Sequence, residues 1–153
     1  VNQLGLCSIG HDSHAYVRQI THAWRHILRH SDLKTMAWAM LPLVFGKRFL
    51  SQNQEIAGKI VAAIAARNHK EGLTAHFNAI STYPPPEAYV RSIQCPTLVI
   101  SGSDDPIVSH RDARQLAEDC HGRYEMLPQT GHSVPAEAPA LFQQLIFDFF
   151  NQP

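Results

Sequence analysis

The chain has no net charge: 13 Lys and Arg offset 13 Asp and Glu among 153 residues. Without a basic excess nothing points to nucleic acid. It also lacks an unbroken apolar run long enough to span a bilayer, so no membrane segment is expected. Cysteine is scarce, with Cys7, Cys95 and Cys120 far apart. An odd, dispersed set makes no disulfide framework and fits a reducing, cytoplasmic setting. No signal-peptide pattern opens the chain and no internal repeat divides it. The first residue is Val1 rather than Met, which leaves room for polypeptide ahead of it. What is present is 44% hydrophobic residues, enough for one modest core with a lobe inserted into it.

The most informative stretch runs from Cys95 to Pro139. Thr97 to Ile100 is a short apolar, β-branched run opened by Pro96 and closed by Gly102, as in a buried parallel strand. Asp105 follows just past its carboxyl end. Ser109, with Asp112 three positions on, predicts a helix start, and Gly122 after His121 predicts its stop. Arg123 to Leu127 reads as a second strand, and the turn after it delivers His132. Strand, helix and strand form one right-handed crossover that brings Asp105 and His132 to the same sheet edge, where open α/β sheets place ligands. An acid beside an imidazole suggests an orienting carboxylate and a general base. Each residue has an ordinary alternative: Asp105 as an Asx-turn residue, His132 as a turn histidine bonded to backbone.

In these residues the C-terminal portion of the chain resembles the α/β-hydrolase superfamily. Pro96-Thr97-Leu98-Val99-Ile100 enters Gly102-Ser103-Asp104-Asp105-Pro106-Ile107-Val108, and Gly131-His132-Ser133 precedes Pro135, Glu137, Pro139 and a closing helix. The resemblance implies an α/β fold class: a partial hydrolase fold of three parallel strands with flanking helices and an inserted all-helical cap. It makes residues 1–9 the first core strand present, residues 10–93 the cap, and residues 94–153 the remainder of the core. Asp105 would be the triad acid and His132 the base, with Asp104 the second choice of carboxylate. No cofactor is implied. The family's Gly-x-Ser-x-Gly nucleophile elbow and amide-donating loop cannot be found, so the chain alone is expected to be inactive.

The rest of the chain fits that outline. Val1 to Ile9 can be a strand running into a polar turn, and from Ala15 to Tyr83 the pattern is helical. Asp32 can cap a second helix, which Pro42 should kink or end; a third is expected over Gln54 to Asn68, a fourth over Thr74 to Ser81, and a short one over Pro86 to Ile93. Trp24, Trp38, Met36, Met40, Phe45, Phe49 and Phe77 could line an apolar chamber under such a cap, suiting a small apolar acyl or ring-bearing substrate; alternatively they form the cap's own core.

Two other patterns compete for chemistry. Gly5-Leu6-Cys7-Ser8-Ile9-Gly10 could be misread as a cysteine elbow, but Ile9 is bulky where an elbow needs a small residue, so Cys7 reads as a buried strand thiol. Ser13 has no glycine bracket and reads as a turn or helix cap. His22, His26 and His30 stand four apart, a spacing that can bind zinc, but Arg25 and Arg29 flank them and no carboxylate or cysteine is near. A solvated basic face is the expected reading, with no metal.

The expected edge at Asn2 to Leu6 would be open to pairing, either with a second copy or with a separate N-terminal half carrying the nucleophile. A second functional class stays open beside the hydrolase: a non-catalytic ligand-binding or assembly module on the same scaffold.

Overall fold

A computed structural model describes residues 1–11, 14–84 and 86–151. Three strands, β1 (Leu4–Cys7), β2 (Thr97–Gly102) and β3 (Arg123–Leu127), pair in parallel in the order β1-β2-β3. Leu6 lies opposite Val99, and Val99 opposite Tyr124. Every residue of β2 is buried, as expected for a strand covered on both faces. Its side chains alternate: Val99 packs with Leu6 and Tyr124 on one face, while Leu98 and Ile100 pack with Cys7 on the other.

Helices cover both faces. α6 (His110–Asp119) lays Ala113, Leu116 and Ala117 against the Val99 face. Ser109 caps it as expected, its Oγ accepting from Asp112 N–H at 3.1 Å and donating to Asp112 Oδ2 at 2.7 Å. The stop differs in detail. His121, at φ 52°, takes the left-handed position. Gly122 is needed for space instead, because a Cβ there would sit 2.9 Å from Thr97 O. On the other face a short α7 (Val134–Glu137) leads into α8 (Pro139–Phe150), whose Phe149 packs with Leu98, Ile100, Leu127 and Val134. Pro139 occupies the first turn, where its missing N–H costs nothing.

Between β1 and β2 lie α1 (His14–His30), α2 (Leu33–Val44), α3 (Lys47–Gln52), a 3-10 turn (Gln54–Ile56), α4 (Ala57–Arg67), α5 (Lys70–Thr82) and two further 3-10 turns, Pro86–Ala88 and Val90–Ser92. Several boundaries depart from expectation. Pro42 sits inside the last turn of α2, which runs on to Val44. The segment expected as one helix from Gln54 begins as a 3-10 turn and becomes α-helical at Ala57. α5 starts at Lys70 rather than Thr74 and carries Gly72, where a side chain would meet open space. Residues 86 to 92 form two separate turns instead of one helix. The expectation for Ser13 falls outside the described residues, as does Pro85.

The insertion shares the main core through Ile20, Trp24, Leu28, Met36 and Phe77. It also has its own small core of Ala37, Leu41, Phe45 and Val61 between α2 and α4. Near its two ends, His11 Nε2 lies 2.7 Å from Asp119 Oδ2 of α6, and the exposed Arg91 Nη2 lies 3.9 Å from Asp119 Oδ1.

Candidate functional site

The turn after β2 and the turn after β3 are stitched together. Ser103 N–H donates to Leu127 O, Asp104 N–H to Thr130 O, and Gln129 N–H to Ser103 Oγ. Their closest approach is at Gly102, where a Cβ would fall 2.1 Å from Thr130 O and 2.3 Å from Gly131 O. Any other residue would push the two turns apart. This crossing brings Asp105 and His132 together: His132 Nδ1 lies 2.8 Å from Asp105 Oδ2.

The two oxygens of Asp105 divide the work. Oδ1 accepts the N–H groups of Ile107 and Val108 at 2.8 and 3.0 Å, and Oδ2 takes the imidazole. The Asx-turn expected as an alternative for Asp105 is therefore present together with the His132 contact, and it fixes the carboxylate's orientation. The Asp105 side chain is fully buried, while His132 keeps 28% of its side-chain surface open. Asp104 is exposed and holds Ser103 Oγ at 2.7 Å, a local contact outside this pair.

The backbone around His132 is equally constrained. Ser8 Oγ donates to His132 O at 2.7 Å, and Ser133 N–H donates to Val44 O at 2.9 Å. Ser8 is held at φ 55°, a conformation non-glycine residues rarely adopt. Sequence reasoning gave Ser8 no role; the usable signal was its place just past the end of β1, the strand beside β2. Beside it, burial first, then the negative charge of Asp105, push the Cys7 thiol above its ordinary value, partly opposed by a hydrogen bond to Ser8. A thiol so shifted has little thiolate at neutral pH and makes a poor nucleophile.

His132 opens on a cavity of about 520 Å3 between the sheet edge and the helical insertion. Val17, Ile20, Trp24, Met40 and Phe77 contribute apolar wall, and Ile107 and Val108 join it from the Asp105 turn. Of the seven side chains considered for such a chamber, Trp24, Met40 and Phe77 line this cavity. Met36 is buried in the main core, Phe45 and Phe49 stack with centroids 4.8 Å apart in the α2–α4 core, and Trp38 is 52% exposed. His22, His26 and His30 follow an exposed face of α1.

Comparison with known proteins places the chain. Over 82 residues it is 33% identical to RutD, proposed as a carbamate hydrolase, of Pseudomonas savastanoi pv. phaseolicola, covering 53% of this chain and 31% of that protein. MGS-M2, an α/β hydrolase from a Medee basin deep-sea metagenome library, superposes with TM-score 0.89 at 17% identity, covering 99% of this chain and 57% of its own. The enol-lactonase of Burkholderia xenovorans LB400 gives TM-score 0.84 at 22% identity, again covering 99% of this chain and 57% of its own. The chain thus spans about a third of the length of RutD and little more than half of these solved chains. The two structural likenesses show an α/β-hydrolase fold, and residues 35–143 match the serine hydrolase family FSH1. The chain belongs to the FSH1 serine hydrolase family.

Proposed function

We propose that this chain is the C-terminal portion of a capped serine hydrolase, and that it contributes the base and its orienting acid. The observation that carries this reading is the His132–Asp105 contact at 2.8 Å, opening on the apolar cavity under the helical insertion. Asp105 holds Nδ1–H, which leaves Nε2 to take the proton of an attacking hydroxyl and return it to the leaving group; the buried carboxylate stabilises the imidazolium formed between those steps. The insertion acts as a cap that excludes water and grips the acyl part of the substrate. The cavity's apolar walls favour an ester, thioester or amide with a small apolar acyl or ring-bearing group. The sequence holds no Gly-x-Ser-x-Gly elbow, so the reaction needs a nucleophile and oxyanion donors from other polypeptide, and the chain by itself turns over little or nothing.

A ligand-binding module is the second reading, favoured by the cavity's being formed within this chain while no elbow is present in it. One pair of measurements separates the two. Activated short- and medium-chain 4-nitrophenyl esters should be hydrolysed no faster by the chain than by its His132→Ala variant; turnover lost in that variant would overturn the expected inactivity. Titration with a medium-chain carboxylate, followed by Trp24 fluorescence in a Trp38→Phe background and by NMR of His132, should give saturable quenching and a matching change at the imidazole. Quenching with His132 unmoved would favour the binding module and sink the hydrolase reading.

A further inference from the structure

We propose that Glu137 is a positioning residue that couples the seating of the helical insertion to the placement of His132. The inference rests on the reading of His132 as the base. Glu137 Oε2 accepts two backbone N–H groups at 2.9 Å each, one from Gly46 between α2 and α3, the other from Gly131 immediately before His132. One carboxylate oxygen thereby joins the insertion to the His132 turn.

The junction is shaped for this. A Cβ on Gly131 would lie 2.3 Å from Gly46 N and 2.8 Å from Phe45 C, and a Cβ on Gly46 would lie 2.9 Å from Gly131 N. Only with glycine at both places can the two amides converge on a single oxygen. On the far side of His132, Ser133 N–H reaches Val44 O. The residues on either side of the imidazole are therefore tied to the insertion, Gly131 through Glu137 and Ser133 directly through Val44 O. Of these two bridges, the one through Gly131 depends on a side chain. Two converging N–H donors suit an anionic acceptor, because charge-assisted bonds are about twice as strong as neutral ones. Among the described residues the remaining oxygen, Oε1, is buried without a hydrogen-bond partner, so the bridge rests on Oε2. Arg48 reaches Gln129 across the same junction, and among the described residues it forms no ion pair with Glu137, so it provides a control.

The test uses the full chain and two readouts: the Nδ1–H proton resonance of His132, and hydrogen exchange at the Gly46 and Gly131 amides. Glu137→Ala should raise exchange at both amides about tenfold or more and move the His132 resonance, whereas Arg48→Ala should lower the unfolding temperature with the resonance unchanged. Glu137→Gln, whose carboxamide oxygen can accept both amides, should restore much of the wild-type signal. If Glu137→Ala does not fold, Glu137→Asp decides, since it keeps the charge but is one methylene too short for both amides. A folded Ala or Asp variant with the wild-type His132 resonance would overturn the proposal, leaving Glu137 a purely structural residue. Absence of a His132–Asp105 signal in the unsubstituted chain would overturn the functional reading instead.

Discussion

Three polar groups of the His132 turn are held by partners from separate segments. Asp105 Oδ2 takes the ring, Ser8 takes the carbonyl, and Val44 takes the amide that follows. Such a ring is held in one orientation, which is the preorganisation that the proposed general-base role requires. The same crowding explains Cys7. Its burial and its proximity to Asp105 hold the thiol protonated above the ordinary value of 9.0, so alkylation requires a higher pH than for a solvated thiol. At pH 8, iodoacetamide should modify Cys7 about tenfold or more slowly in the folded chain than in urea, read by peptide mass spectrometry. Equal rates would show that the β1 end is open to solvent and the site loosely built. Asp105 and His132 were legible as candidates because each follows a strand and the family motifs surround them. Glu137 stood within the family motif without a role of its own, and Ser8 was not legible, since a hydroxyl that binds backbone leaves no pattern of residue types to detect.

At the scale of elements, legibility followed the strength of the periodic signal. β2 and α6 read clearly from an apolar run and a capping pair, and one crossover paired β2 with β3, while the place of β1 came from the family resemblance. The insertion read less well. α3 has too few apolar residues to show a stripe, and α5 begins four residues before Thr74, with Gly72 uncrowded in its first turn. The chamber residues divide for a related reason. Helical spacing shows that Met36, Phe45 and Trp24 are apolar positions, but not whether an apolar face meets a cavity or another helix. His11 at its entry and Arg91 at its exit both approach Asp119, a side chain only 12% exposed. Asp119→Asn should therefore loosen both ends together, raising hydrogen exchange over residues 86–93 and at His11 while the Leu98–Ile100 amides stay protected. Exchange unchanged at both ends would mean that the insertion is held by its apolar contacts alone.

The whole molecule is a three-stranded parallel sheet with β1 at one border. Gly5 is exposed, a Cβ there would meet Phe150 at 3.5 Å and Ile146 at 3.7 Å, and Phe147 and Phe150 of α8 are themselves 66% and 42% exposed. Unpaired strand backbone beside apolar surface is a template for association. The chain should therefore self-associate with rising concentration, seen as an increasing mass by size-exclusion chromatography with light scattering, and Gly5→Pro should reduce the effect by disrupting the outer edge. A monomer at all concentrations would count against pairing through β1. Neither result alters the site itself, which is built from the β2 and β3 turns.

The proposed function depends on the imidazole of His132 being held through Nδ1 by Asp105 and not by Asp104. NMR of the chain labelled with 15N-histidine tests this directly. The expected result is a hydrogen-bonded proton on His132 Nδ1, lost in Asp105→Ala and kept in Asp104→Ala; a proton on Nε2 instead, or a signal that survives the Asp105 substitution, would contradict it.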